Sequence, residues 1–278
     1  MVTTLAESAT SWALGHNSLV PNHGPVSLRR PESHVAVITI DNPPQNALNK
    51  AARQGVVDAL AELNADLDVR CVILTGAGRA FCAGAELTET RRVASGPAEA
   101  RVYLQDFDDL VLAIEACRIP VIAAVNGPAI GGGLEVALSC DIRIAASTSF
   151  FIAAGVNVGL IANFWRLART VGLGPAKEMV LTGDRYTPGQ ALQWGLVTEV
   201  HPAEEVLTAA LAKARRIASR VPLSVEKVKQ SLASAQTMNI HTFMAVQGEA
   251  FIELAASKDH TEALDSFLAK RPGVFTRE

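Results

Sequence analysis

Three consecutive glycines, Gly131-Gly132-Gly133, followed after Leu134 by Glu135, are the residues best suited to chemistry in this sequence. A glycine run raises the backbone entropy that folding must remove, so three in a row imply a local need that a side chain would violate. The need read here is a helix N-terminus whose bare N–H groups approach something negative or polar. Glu135, one turn into that helix, places a carboxylate beside whatever those amides hold. A second turn of small residues, Phe81-Cys82-Ala83-Gly84-Ala85-Glu86-Leu87, also lets a backbone N–H point at a ligand. Two amides from separate segments are the parts of an oxyanion hole, which stabilises negative charge developing on a carbonyl oxygen. The plainer alternative is a glycine hinge, a tight strand-to-helix connection and a surface glutamate.

Other chemistries find less support. Gly76-Ala77-Gly78 follows an apolar run, as a dinucleotide-binding turn would, but the third glycine position holds Phe81 and the next residues read as extended. No G-x-S-x-G, H-E-x-x-H or Walker pattern occurs. The histidines are scattered and give metal binding no support; His201, in a Val-His-Pro loop, reads as structural or exposed. Cys71, Cys82, Cys117 and Cys140 form no C-x-x-C pair, so they read as buried free thiols of a reducing compartment.

The elements that must position these residues follow from periodicity. Val26 to Arg30 and Val35 to Ile40 read as two strands of a hairpin joined at Pro31-Glu32-Ser33. Asn49 caps a helix to about Asp66, with Ala51, Val56, Val57, Leu60 and Leu63 on its apolar face. Cys71 to Leu74 and Val121 to Val125 read as buried strands, with a long helix from Ala98 to Ala116 between them and a short one, Leu134 to Ser139, after the glycines. Strands alternating with helices imply parallel pairing and an α/β class. Helical segments then dominate from Trp165 to Leu268, interrupted by a strand at Val197 to Val200. Residues 1–24 read as a loose N-terminal extension or an arm on a partner subunit, 25–202 as the α/β core, and 203–278 as a C-terminal helical region.

Composition bounds the partners. The chain has 278 residues, 49% hydrophobic and 19% charged, an ordinary soluble globular balance. A net charge of −3 without a basic run argues against nucleic acid. No apolar run approaches the roughly 18 to 20 residues needed to span a bilayer. Glu7 precedes any Lys or Arg, unlike a secretion signal, so the expected location is cytoplasmic.

At this point the motifs resemble those of a family. Phe81 to Glu89 (FCAGAELTE), Ile122 to Leu138 (IAAVNGPAIGGGLEVAL), Cys140-Asp141-Ile142 and Leu181 to Val200 closely resemble the crotonase superfamily of enoyl-CoA hydratases and isomerases. Asn42 to Asn49 (NPPQNALN) and Phe267 to Phe275 (FLAKRPGVF) are similar to its N- and C-terminal signatures. The resemblance implies a spiral of ββα units, assembled as a homotrimer or a dimer of trimers, that binds an acyl-CoA thioester as substrate and needs no cofactor. It also implies that the N–H groups of Ala85 and Gly132 form the oxyanion hole and that Glu135 is catalytic. By the same analogy Ala83 and Leu87 line the path of the CoA moiety, with Arg79 and Lys270 as candidate phosphate contacts.

Two departures stand out. Family hydratases hold one water between two glutamates, and the second glutamate position is here Gly155, within Ala154-Gly155-Val156-Asn157-Val158-Gly159-Leu160. No Asp or Glu lies between Asp141 and Glu178, so no slipped alignment supplies it. The following loop is shorter and bulkier, running from Ile161 through Ala162-Asn163-Phe164-Trp165-Arg166. Gly155, Phe164 and Trp165 are therefore expected at the acyl pocket, and Glu135 is expected to be the sole acid/base. The alternatives are a non-catalytic acyl-CoA-binding protein, a crotonase-fold decarboxylase or thioester hydrolase, and a structural protein without a ligand.

Overall fold

The computed structural model describes residues 23–278 apart from positions 163 and 236 and the side chain of Phe164. The expected extension over residues 1–24 thus lies almost wholly outside the described residues. After an edge strand, β1 (Val26–Glu32), the chain repeats one pattern: a long strand, a two-residue strand, then helix. The first unit is β2 (Val35–Ile40), β3 (Ala47–Leu48) and α1 (Lys50–Ala65); the second is β4 (Cys71–Gly76), β5 (Gly84–Ala85), α2 (Leu87–Val93) and α3 (Pro97–Glu115). The third is β6 (Val121–Val125), β7 (Ala129–Ile130) and α4 (Gly132–Ser139). The fourth is β8 (Ile142–Ala146) and β9 (Phe151–Ile152), followed by a 3₁₀ turn (Ala154–Val158), α5 (Phe164–Val171), α6 (Leu173–Thr182) and α7 (Pro188–Gln193). Strand β10 (Glu199–His201) and helices α8 (Val206–Ala218), α9 (Pro222–Ala235), α10 (Ile240–Ala255) and α11 (Lys258–Leu268) complete the chain.

The long strands form one sheet in the order β1-β2-β4-β6-β8-β10, parallel except for the β1–β2 hairpin. Strands β2, β4 and β6 are buried at every residue, as parallel strands covered on both faces must be. One face carries Ile38, Leu74 and Ala123 into the core shared with α1 and α3. The other carries Val37, Ile73 and Ala124 against Val206, Ala210, Ala214 and Ala218 of α8. The four-residue spacing of those α8 residues makes one narrow stripe, and the small alanines let the helix lie close to the strands.

The short strands build a second layer. Residues β3 pair with β5 and β7 with β9, both in parallel, and a bridge from Cys82 to Ala129 joins the two ladders. Two-residue strands have no readable period, so the sequence shows them only as turns. Asn46 ties this layer to the main sheet. It is 2% exposed, sits at φ 57°, and donates from Nδ2 to Ala77 O at 2.9 Å and Ala80 O at 2.7 Å. Its Oδ1 accepts from Asn42 N at 3.2 Å.

Several local expectations shift. The hairpin turns at Ser33-His34 rather than Pro31-Glu32-Ser33, because β1 continues to Glu32 through an irregularity after Arg29. An edge strand tolerates Pro31, since no neighbour needs its missing N–H. Asn49 does cap α1, accepting from Ala52 N at 2.8 Å, but Ala51 is exposed and Ala52 and Arg53 are buried instead. His201 lies in β10 rather than a loop and bonds Glu199 Oε2 at 2.9 Å. All four cysteines are buried and free, and burial pushes the Cys71, Cys82 and Cys140 thiols up to about 12. Among the described residues no helix is long and apolar enough to cross a membrane.

Asn46→Ala strips partners from buried or half-buried backbone groups, each worth about 1–3 kcal/mol, and leaves in the left-handed region a residue without the polar side chain that tolerates it. Chemical denaturation should show a loss of at least about 2 kcal/mol. A loss within a few tenths would mean that the asparagine does not join the two layers.

Candidate active site

Each residue of the glycine run is small for its own reason. Gly131 sits at φ 52°, ψ −113°, just before α4. A Cβ on Gly132 would stand 2.8 Å from Cε2 and Cζ of Phe107, and one on Gly133 would stand 2.1 Å from Cys82 O. The second small-residue turn meets the first directly. A Cβ on Gly84, at φ 84°, would stand 2.8 Å from Gly132 N and 2.4 Å from Ile130 O. The position a Gly132 Cβ would take is also 3.5 Å from Ala85 N. The turns are held side by side because Cys82 N donates to Pro128 O and Ile130 N donates to Cys82 O, both at 3.0 Å. The structure therefore brings together Ala85 and Gly132, residues far apart in the chain. As the first residue of α4, Gly132 has no acceptor within its own helix, and the helix adds its positive end there.

Glu135 lies in the first turn of α4 with a side chain 12% exposed. Arg166 of α5 donates from Nη1 to Glu135 Oε1 at 2.7 Å. The same guanidinium donates from Nε and Nη2 to the two oxygens of Glu115, at the end of α3, at 2.6 and 2.9 Å. Burial works against the Arg166 charge, yet its hydrogen bonds to Glu115 and Glu135 outweigh it and hold Arg166 above the ordinary arginine value. Arg166 consequently stays charged and cannot act as a proton donor.

The remaining expected residues divide by position. Ala83 and Leu87 flank Ala85; the Ala83 N–H donates to Gln45 O at 3.0 Å, and Leu87 opens α2 in an exposed position. Arg79 is exposed on the turn between β4 and β5. Lys270, exposed at φ 52°, follows α11 on the C-terminal segment. Trp165 is 48% exposed and packs its ring under the guanidinium of Arg169 at 3.7 Å. Phe164 begins α5.

The sequence profile described as "Enoyl-CoA hydratase/isomerase" matches residues 30–278. The chain belongs to the enoyl-CoA hydratase/isomerase family. It is 37% identical over 245 residues to a short-chain-enoyl-CoA hydratase of Clostridium acetobutylicum, covering 86% of this chain and 93% of that one. It is 34% identical over 249 residues to the 2,3-dehydroadipyl-CoA hydratase of Escherichia coli, covering 88% and 96%. The crystal structure of an enoyl-CoA hydratase from Bacillus anthracis superposes with a TM-score of 0.87 at 32% identity, over 92% of this chain and all of that chain.

Within this enoyl-CoA hydratase/isomerase fold, the ground at Gly155 is closed. Gly155 is buried in the 3₁₀ turn, and its carbonyl accepts from Leu160 N at 2.8 Å. A Cβ there would stand 2.8 Å from Leu160 O and 3.0 Å from Ala162 N, both backbone atoms. The loop after Gly159 thus folds back over the place where a side chain at position 155 would begin. Arg166, Glu115 and Phe107 were not singled out from the sequence. The Phe-Trp-Arg end of the short loop was the visible signal for Arg166, but its partners come from helices distant in the chain.

Because a methyl group at Gly155 meets backbone rather than a flexible side chain, Gly155→Ala should cost about 1–3 kcal/mol, the range for forced overpacking. Thermal unfolding would register this as a lowered midpoint. An unchanged midpoint would mean that the loop does not close over Gly155.

Proposed function

We propose that this chain is an acyl-CoA enzyme of the enoyl-CoA hydratase/isomerase type in which Ala85 and Gly132 hold the thioester oxygen and Glu135 is the sole acid/base. The observation that carries this reading is the convergence of the Ala85 amide on the start of α4, with Glu135 one turn further along that helix. A thioester becomes reactive at the carbons beside its carbonyl when the resulting enolate is stabilised. Each amide donor aimed at that oxygen is worth about 3–4 kcal/mol in the transition state.

In the hydration direction, the Glu135 carboxylate takes a proton from water as the water oxygen bonds to C3 of the enoyl group. The C2–C3 π electrons move toward the carbonyl, placing negative charge on the thioester oxygen between the two amides. The enolate then collapses, and the proton carried by Glu135 passes to C2. Water has been added and the glutamate is regenerated. With no carboxylate at Gly155 to share the water, this reaction runs below a two-glutamate enzyme by about 10²- to 10⁴-fold.

The test is a panel of CoA thioesters that includes crotonyl-CoA, read by mass change. Glu135→Gln should abolish turnover while leaving thioester affinity within about threefold, since the amides that bind the carbonyl are untouched. Undiminished turnover in that variant would sink the assignment. A second reading, a non-catalytic acyl-CoA-binding protein, is favoured by the ion pair that already engages Glu135. It would be established by a thioester that raises the melting temperature while no member of the panel changes mass.

The same reading includes assembly of copies through the C-terminal helices and a cytoplasmic setting. Helix α10 has no buried residue, and Met244, Phe251 and Ile252 on it are exposed with Leu264, Phe267 and Leu268 of α11. Large apolar groups exposed together on helices mark a protein-covered face. Light scattering should find a trimer or hexamer that Phe251→Glu combined with Phe267→Glu converts to monomers. A monomeric parent protein would end this part of the proposal.

A further inference from the structure

We propose that Arg166, gripped by Glu115, is a positioning residue that sets the orientation of the Glu135 carboxylate for proton transfer. This rests on the reading of Glu135 as the acid/base and adds the residues that make a lone glutamate workable. Three helices contribute one charged group each: Glu115 from the last residue of α3, Glu135 from the first turn of α4 and Arg166 from α5. None of the three is fully open to solvent, with Glu135 and Arg166 the more enclosed.

The geometry separates the tasks of the two carboxylates. Glu115 takes Nε and Nη2 of Arg166 in a two-pronged bond, which fixes the plane of the guanidinium. Nη1 is left directed at Oε1 of Glu135. A planar fork already locked at one edge presents its remaining donor in one direction, unlike a lysine ammonium. Arg166 thereby holds one oxygen of the Glu135 carboxyl in a fixed direction.

Charge bookkeeping gives Glu115 a second effect. Two carboxylates and one guanidinium sum to −1, so the group as a whole keeps one negative charge in the site. The trio also explains how the chain manages without a glutamate at Gly155. Here a fixed cation orients the one carboxylate. Misplacing a reacting group by about 1 Å can cost 10²-fold in rate.

Steady-state kinetics on crotonyl-CoA tests the proposal, each rate being expressed per folded protein. Arg166→Met should lower kcat by about 10- to 100-fold with KM held within about twofold. Arg166→Lys should recover a clear part of that loss, because an ammonium still reaches a carboxylate without fixing its plane. Glu115→Gln should lower kcat in the same sense but by less. Wild-type kcat in folded Arg166→Met, or no difference between the Lys and Met variants, would overturn the proposal. If Arg166→Met does not fold, Arg166→Lys against Glu115→Gln carries the test, and unchanged kcat in both overturns it. Full turnover in Glu135→Gln is a separate outcome, marking failure of the acid/base reading rather than of the clamp.

Discussion

The approach of the Gly84-Ala85 strand to the start of α4 is the constraint on which the rest of this structure depends. Backbone meets backbone there so closely that a methyl group on Gly84 would lie 2.4 Å from Ile130 O. Such proximity demands glycine on both sides and hydrogen bonds that hold the strands beside it, as Cys82 does with Pro128 and Ile130. The second layer of two-residue strands exists at this place, paired β3 to β5 and β7 to β9. Its Leu48, Ala129 and Phe151 are buried in the core shared with the main sheet. Its effect is to bring the ends of successive ββα units side by side, so that Ala85 lies against the start of α4.

Beside that approach, one guanidinium is held between two carboxylates. The short loop after Ile161 leads straight into α5, and α5 presents Arg166 to Glu135 at 2.7 Å. At the same time the chain folds back over Gly155, where Leu160 O occupies the ground a side chain would need.

The chain divides its apolar surface in a way that matches its topology. Both faces of the parallel sheet are buried, one under α1 and α3 and the other under the alanine stripe of α8. The last two helices stand apart, with large apolar side chains such as Phe251 and Phe267 in solvent. A sheet already covered on both sides has no remaining face to offer them within one chain.

Much of this was written locally in the sequence. The buried strands, the Asn49 cap, the order of strands and helices and the two glycine turns are all short-range patterns, set by side-chain periodicity and by residues that only a few backbone conformations accept. The glycine run and Glu135 are visible as a cluster of unusual residues, and the glycine at position 155 needs no coordinates to be read. What tertiary structure alone decided was who meets whom. The two-residue strands have no period of their own and exist through their partners. Ala51 and Ala52 differ by a rotation that only packing chooses. Arg166 finds Glu115 and Glu135 from residues far away in the chain, and Phe107 finds Gly132 in the same way. Contacts between distant segments depend on the path of the whole chain, and no local pattern carries that path.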